Sequence, residues 1–425
     1  MEQRGGVTCS PGAASLEAGN ETAGGRTWWG AILLLACGHL IGDFYAVLLT
    51  PLLQDFREAF AMSVTAATVL VNVGSLSNST LQPVVGHFLE RFDQKRVFAI
   101  GLLIATVPLS CIGLAPGPVW LGALLALGGT GVALFHPSGA VLTSRFAGTR
   151  RGLAMSVYAN GGAIGIALAP LAVTLLLVQG TRQMSWVFMP LGLVATATLV
   201  WLLPATRSPT TRAKLPTWRS LIHPDSRSVW LVFASVVLRS LVVAVVTSFI
   251  VIYAAENGWS KAQGRFLLTA FLLACAAGGL AGGYVSDYLE RRRLMLAACF
   301  LGFLPLAAAW QVPFGGSLVL LVVSGAILSL STPVNIVVAQ ELRPEQASAM
   351  SGLMMGLAWS VSVLLLIPFG TLADLTSTGT ALRVSSFLLP IAGLCVLRLP
   401  EFPPLVRRTG VADLKGSSPR GSAPG

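Results

Sequence analysis

The chain has 425 residues, of which 54% are hydrophobic and only 11% are charged. Soluble proteins carry about 25% charged residues, so this composition excludes an ordinary soluble fold and predicts a protein embedded in a lipid bilayer. The net charge of +11 could indicate a nucleic-acid partner. However, the basic residues lie in short segments between long apolar runs, which favours contact with anionic lipid and no nucleic acid.

Residues 1–27 are rich in Gly, Ala, Ser and Thr and lack the apolar core of a secretory signal, so they are predicted to be a disordered cytoplasmic N-terminus. Apolar runs long enough to cross a bilayer follow, and only helices satisfy so many backbone groups in lipid. The sequence therefore predicts an all-α membrane protein with twelve transmembrane helices. The predicted spans are 28–50, 63–89, 97–115, 118–144, 152–178, 184–204, 229–253, 263–288, 294–312, 316–340, 347–373 and 378–398.

The distribution of Lys and Arg predicts how these spans are oriented. If the N-terminus is cytoplasmic, twenty-two basic residues lie in inner segments and five in outer segments, and Arg239 falls inside the seventh span. Inner loops carry the excess of positive charge in membrane proteins. Both termini, including the tail 399–425, are therefore predicted to be cytoplasmic.

The chain divides into two similar halves. The longest hydrophilic segment between spans, 205–228, is predicted to be a central cytoplasmic loop between the six-helix halves 28–204 and 229–398. The stretch 86–96, GHFLERFDQKR, aligns with 283–293, GYVSDYLERRR, at an offset of 197 residues, and Pro137 and Pro333 lie 196 apart. Matching features at one offset favour two pseudo-symmetric halves.

In both stretches a glycine is followed four residues later by an acid and then by cations, at the cytoplasmic end of a helix. This pattern resembles the loop signature of the major facilitator superfamily. The resemblance implies the major facilitator fold and a cytoplasmic gate, in which the glycine permits close helix approach and the acid pairs with basic residues. The corresponding residues are Gly86, Glu90, Arg91, Gly283, Asp287 and Arg291. The alternative is that the cations only anchor the loops inside.

The fifth span contains small residues four apart, at Gly161 and Gly165, and ends this pattern at Pro170. It resembles the antiporter motif of the same superfamily, with Ala169 where glycine is more usual. The resemblance favours export. Ordinary helix packing explains the same spacing, because small residues let neighbouring backbones approach.

Longer stretches resemble the fosmidomycin-resistance branch of the superfamily. These stretches are GHLIGDFY at 38–45, LQPVVG at 81–86, FHPSG at 135–139 and LRS at 238–240. Members of this branch are proton-driven exporters of small drugs, so the resemblance implies an efflux pump in a bacterial inner membrane. It leaves the substrate of this chain open.

Arg239 is the one cation predicted deep inside a span. It stands ten residues beyond Val229, which is about 15 Å along a helix and near the middle of a ~30 Å hydrocarbon core. A guanidinium is permanently charged and binds carboxylate or phosphonate groups well. Arg239 is therefore predicted to bind an anionic substrate. The alternative is a fixed ion pair with Asp43, the only acid deep in a span.

Asp43 and His39 lie four residues apart in the first span and share one helix face. A carboxylate beside an imidazole can load and release a proton near neutral pH, so both are predicted to couple transport to protons. Asp43 plus the offset of 197 falls one residue past Arg239. An Arg239–Asp43 pair that opens on protonation would exchange a proton for an anion. The alternative is a polar face that only contacts neighbouring helices.

His136 precedes Pro137 in the fourth span and is a further candidate for substrate binding or proton relay, although a histidine beside a kink can also be satisfied by backbone or water. Neutral amides inside spans are candidates for lining a cavity, because an amide facing lipid would be unpaired, and interhelical hydrogen bonding is equally compatible with them. They include Asn72, Asn78, Gln82, Asn160 and Asn335.

The sequence has no phosphate-binding loop for ATP and no cluster of ligands at metal-site spacing, so no cofactor and no metal are predicted. An ion gradient must then supply the energy, and titratable His39 and Asp43 favour protons over sodium. We expect a transporter, not an enzyme, that exports a small anionic or amphiphilic compound by alternating access. Proton-coupled uptake of an organic anion uses the same residues, and a membrane receptor that binds without transport is the alternative of another class.

Overall fold

The computed structural model describes residues 27–82, 92–148, 151–176, 182–204, 227–286, 288–343 and 347–402. Within these ranges the regular structure is helical throughout, which confirms the all-α prediction. In the first half the helices are α1 Trp29–Ala46, α2 Leu49–Phe60, α3 Val64–Ser79, α4 Gln94–Ser110, α5 Pro118–Phe146, α6 Arg151–Leu176 and α7 Met189–Leu202.

The second half begins with long helices and continues with shorter ones. These are α8 Arg227–Glu256, α9 Lys261–Val285, α10 Arg291–Ala309, α11 Phe314–Ser329, α12 Ser331–Leu342, α13 Ala347–Gly352, α14 Ala358–Leu364, α15 Leu366–Leu375, α16 Thr378–Ser386 and α17 Leu388–Leu397. A π-helical turn, Leu353–Leu357, joins α13 to α14.

Eleven helical segments in the described part of the chain are long and apolar enough to cross a membrane. The protein is therefore a multi-pass membrane protein. The predicted second span, 63–89, begins as α3 and continues to Gln82, and its remaining residues lie outside the described ranges.

The third predicted span of each half, which corresponds to α4 and α10, begins at an acidic N-cap residue. The Asp93 carboxylate accepts a hydrogen bond from the backbone N–H of Lys95 at the start of α4. The Glu290 carboxylate accepts from the N–H groups of Arg292 and Arg293 at the start of α10. Side-chain acceptors at these positions satisfy N–H groups that a helix leaves free. Because Asp93 and Glu290 lie 197 residues apart, this feature agrees with the predicted repeat.

The two halves meet along α6 against α9 and along α3 against α15. Polar contacts join the halves at the end predicted to face outward. The Asp374 carboxylate of α15 accepts hydrogen bonds from the N–H groups of Val64 and Thr65, at 2.7 and 2.8 Å. An acid at a helix N-terminus is stabilised by the positive end of the helix dipole.

Ion pairs add to this connection. Asp55 of α2 binds Arg265 of α9 at 2.6 Å and Lys261 at 3.0 Å, and Lys261 also binds Glu58 at 2.5 Å. Arg265 further donates to the backbone oxygen of Pro51, at 2.9 Å. These contacts hold α2 and α9 together at the end predicted to face outward. Separation of the halves at this end requires that they break.

Candidate functional site

A cavity of about 330 Å³ lies between the two halves. Asp43 of α1 and His136 of α5 line it from the first half, and Val243 and Thr247 of α8 and Trp359 of α14 line it from the second. Most of the other lining residues are apolar. A cavity shared by two halves can open to either side of the membrane if the halves tilt.

Asp43 is the centre of a cluster of titratable side chains, His39, Asp43 and His136, which we call the His–Asp–His cluster. Nε2 of His136 lies 2.8 Å from Oδ1 of Asp43, and Nε2 of His39 lies 3.2 Å from Oδ2. Asp43 and His39 are each 7% exposed. The prediction that His39 and Asp43 share a face is confirmed. The proximity of His136 was not predicted, because its position depends on how α5 packs against α1.

The hydrogen bonds of His39 define what its ring can do. Nδ1 of His39 lies 2.8 Å from the backbone oxygen of Tyr158. A carbonyl oxygen only accepts, so Nδ1 carries hydrogen. The Tyr158 ring also stacks on the imidazole, with centroids 4.2 Å apart. In the neutral ring Nε2 therefore presents a lone pair to the carboxylate.

That lone pair is not satisfied within the described structure. Nε2 of His39 is buried and, despite its 3.2 Å distance from Oδ2 of Asp43, forms no hydrogen bond in the arrangement found. Two acceptors that face each other in a buried site repel, and a proton placed between them removes the repulsion. Protonation of His39 would replace this repulsion by attraction between an imidazolium and the carboxylate.

Gly162 of α6 makes room for this arrangement. A Cβ atom there would lie 2.4 Å from Oδ2 of Asp43 and 2.6 Å from Nε2 of His39. By contrast, a Cβ at Gly161 would lie 2.3 Å from the backbone oxygen of Ala36, and one at Gly165 would lie 2.0 Å from that of Leu40.

Gly161 and Gly165 thus allow α6 to contact the backbone of α1, which is the packing role that their spacing also allowed. Pro170 of the same helix lines the cavity. Sequence reasoning did not single out Gly162 or Tyr158, because neither carries chemistry by its side-chain type. Only the close approach of α6 to α1 gives them a role.

Arg239 is 9% exposed and does not belong to the cavity lining. It lies four and eight residues before Val243 and Thr247, so it shares their face of α8. Its buried Nε has no hydrogen-bond partner within the described residues.

The predicted Arg239–Asp43 ion pair is absent from the described structure, and that alternative is wrong for this conformation. Both oxygens of Asp43 already face imidazole rings of its own half. Positions related by pseudo-symmetry lie on opposite halves and need not touch. The guanidinium is therefore left without an acidic partner among the described residues.

The predicted amides take different positions. Gln82 donates from Nε2 to Oδ1 of Asn78 at 2.7 Å, and Asn78 lines the cavity. Asn335 is 2% exposed, and its Oδ1 has no partner within the described residues. Asn160 is partly exposed and does not line the cavity. Gln82 therefore reaches the cavity through Asn78.

The predicted cytoplasmic gate is only partly visible. Gly86, Glu90, Arg91 and Asp287 lie outside the described residues. A Cβ at Gly283 would make an ordinary contact, 3.7 Å from a side-chain atom of Pro333.

Arg291 is 1% exposed and binds Glu341 of α12 at 2.6 Å. Its acidic partner is thus Glu341, which the loop signature did not indicate. This buried ion pair links α10 to α12 inside the second half.

Comparisons with known proteins agree with this architecture. The family described as Major Facilitator Superfamily matches residues 35–251 and 232–421. The Fosmidomycin resistance protein of Escherichia coli (strain K12) is 28% identical over 396 residues, which cover 89% of this chain and 95% of that protein. The Uncharacterized MFS-type transporter YfnC of Bacillus subtilis (strain 168) is 26% identical over 398 residues, covering 89% and 94%.

Solved structures show the same fold. The nucleoside transporter NupG, in a mutant form, aligns with a TM-score of 0.72 at 13% identity, covering 86% of this chain and 98% of that one. An inward-facing, occupied bacterial homologue of the human lysosomal transporter Spinster aligns with a TM-score of 0.70 at 14% identity, covering 90% and 97%. Because the family match spans most of the sequence, the chain belongs to the Major Facilitator Superfamily of transporters.

Proposed function

We propose that this transporter exports a small anionic or amphiphilic compound across a bacterial cytoplasmic membrane in exchange for protons. The observation that carries the proposal is the His–Asp–His cluster in the wall of the cavity between the halves. Titratable groups buried inside a membrane protein are costly and usually serve ion or substrate movement. The likeness to the Fosmidomycin resistance protein of Escherichia coli supports export of a drug-like anion.

The cluster supplies the proton site. His39 takes up this proton at Nε2, which lies 3.2 Å from Oδ2 of Asp43. Asp43 and His136 border the cavity, so a proton can enter from whichever side the cavity faces. Loading and release of this proton would then accompany alternating access.

Arg239 supplies the charge for an anion. Its guanidinium is nearly buried and has no acidic partner among the described residues, and Val243, one turn further along α8, lines the cavity. An uncompensated buried cation is strongly unfavourable until an anion neutralises it. Substrate held near Val243 would lie close to that charge.

The test is transport by Asp43→Asn in everted membrane vesicles, with fosmidomycin as the probe. A pH gradient with an acidic vesicle lumen should drive accumulation of the probe by the unaltered protein. It should not do so for Asp43→Asn, because the amide cannot carry the proton. Exchange of labelled for unlabelled probe without a gradient should survive. The control is His223→Gln, which replaces a histidine in the predicted central loop 205–228.

Gradient-driven accumulation by Asp43→Asn at the unaltered level would contradict the proton site. Direction is tested separately. Accumulation in right-side-out vesicles with acid outside, and none in everted vesicles, would replace export by proton-coupled uptake.

A further inference from the structure

The His–Asp–His cluster brings together donor atoms that a metal ion could share. The ligand atoms of His39, Asp43 and His136 all lie within 4.8 Å of one another. Tetrahedral zinc sites have bonds of about 2.0–2.2 Å, which places neighbouring donor atoms roughly 3.3–3.5 Å apart. The 3.2 Å distance joins His39 to Oδ2 of Asp43, and the 2.8 Å distance joins His136 to Oδ1. An ion would therefore have to draw both imidazoles towards one carboxylate oxygen or bind both oxygens.

The orientation of His39 favours a cation at this point. Nδ1 is occupied by the backbone oxygen of Tyr158 at 2.8 Å, while Nε2 is buried and has no hydrogen-bond partner within the described residues. A histidine that binds a metal commonly donates its other ring N–H to a carbonyl, which fixes the ring and directs the free nitrogen at the ion. His39 has this arrangement.

The surroundings allow an ion to enter and to complete its coordination. Asp43 and His136 line the cavity between the halves. The backbone of Gly162 packs closely against Asp43 and His39, so an ion would approach them from the cavity side. Two imidazoles and one carboxylate, with a water from the cavity as fourth ligand, form a set that suits Zn²⁺, Co²⁺ or Ni²⁺ better than Mg²⁺ or Ca²⁺.

We propose that the His–Asp–His cluster also binds a divalent transition-metal cation, through Nε2 of His39, a carboxylate oxygen of Asp43 and Nε2 of His136. The cation is a competing occupant of the proton's position and not a cofactor. The bound cation therefore blocks transport. The inhibition of transport rests on the proposed function, whereas the binding of the cation does not.

Binding is tested with Co²⁺ alone, on full-length protein purified in detergent without a polyhistidine tag. We expect one ion per chain and the visible absorption of four-coordinate Co²⁺, without the near-ultraviolet band that cysteine thiolates produce. Asp43→Asn and His39→Gln should each weaken binding at least tenfold, while His223→Gln leaves it unchanged. Thermal unfolding of each variant establishes that it is folded.

Equal Co²⁺ binding by the folded cluster variants, or none by the unaltered protein at micromolar concentrations, would overturn the metal site. The transport arm uses Zn²⁺ in everted vesicles and should give inhibition that His223→Gln retains. Co²⁺ binding at the cluster without Zn²⁺ inhibition would leave the metal site standing and contradict the role of the cluster in transport. The two failures are therefore distinguishable.

Discussion

Nε2 of His136 and Oδ1 of Asp43 lie 2.8 Å apart, although the residues are 93 positions apart in the chain. The contact joins α5 to α1 in the wall of the cavity. It links the carboxylate to a second imidazole, in addition to the one on its own helix. Each oxygen of Asp43 therefore has an imidazole nitrogen beside it.

We expect His136→Gln to impair proton-driven transport. A hydrogen bond to a charged group contributes about 1.5–3 kcal/mol, so its loss should lower gradient-driven accumulation at least about tenfold. The measurement is initial accumulation in everted vesicles, and His223→Gln serves as the control. Unaltered accumulation by His136→Gln would remove His136 from the proton site.

Substitutions at two glycines of α6 are expected to have different effects, one on transport and the other on stability. Gly162→Ala places a methyl group against side-chain atoms of Asp43 and His39, whereas Gly165→Ala places one against the backbone of Leu40. Side chains yield more readily than backbone. Gly162→Ala should therefore lose proton-driven transport and keep its melting temperature.

Gly165→Ala should lower the melting temperature, because overpacking costs about 1–3 kcal/mol. Gly279→Ala is the control, since a Cβ there would meet nothing closer than 3.9 Å. Thermal unfolding and vesicle transport are measured on all three variants. A reversed pattern, with Gly165→Ala stable and Gly162→Ala unfolded, would contradict the distinct roles of these glycines.

The helical membrane fold could be predicted because its signals can be read directly along the chain. These signals are the length of the apolar runs, the charge of the segments between them and the repeat of a sequence pattern. The sequence also placed His39 beside Asp43, since four residues make one helical turn. It could not place His136 or Gly162 at the same site, because their contacts with Asp43 depend on how α5 and α6 pack against α1. The predicted pseudo-symmetry related the sequence positions of Arg239 and Asp43 and gave no information about the distance between their side chains.

The matching caps at Asp93 and Glu290 give a stability prediction. Replacement of an N-cap acceptor by alanine costs about 0.5–2 kcal/mol. Asp93→Ala should lower the stability within this range, and Glu290→Ala should lower it more, because Glu290 also accepts from the N–H of Phe402. Asp93→Asn keeps an acceptor and should be nearly neutral. Thermal unfolding in detergent measures all three, and equal losses for Asp93→Ala and Asp93→Asn would contradict the capping role.

The outer ion pairs should control access to the cavity from outside. Asp55→Asn removes the acid that binds both Arg265 and Lys261. A loss of about 1.4 kcal/mol shifts an equilibrium tenfold, so outward opening should rise by about that factor. The measurement is labelling of Thr247→Cys, in the cavity wall, by an impermeant thiol reagent applied to cells.

The labelling rate of the Thr247→Cys parent is the baseline for this comparison. The exposed substitution Arg96→Gln, at the predicted inner end, is the control. The reversed pair Asp55→Arg with Arg265→Asp should restore slow labelling only in part, because Lys261 would then lie beside a second cation. Unchanged labelling of Asp55→Asn would show that these ion pairs do not hold the outer side closed.

Arg239 offers a test in which stability and transport move in opposite directions. A buried guanidinium without an acidic partner is unfavourable, and even the replacement of buried ion pairs by apolar residues of similar volume often stabilises a protein by about 1–4 kcal/mol. Arg239→Met should therefore raise the melting temperature. It should also abolish accumulation of an anionic probe such as fosmidomycin, because nothing else near Val243 supplies a permanent positive charge in the described structure.

Arg239→Lys keeps the charge and should keep part of the transport. If Arg239→Met were less stable and still transported the anion, the guanidinium would be a structural group with an unrecognised partner, and the anion would need another binding site.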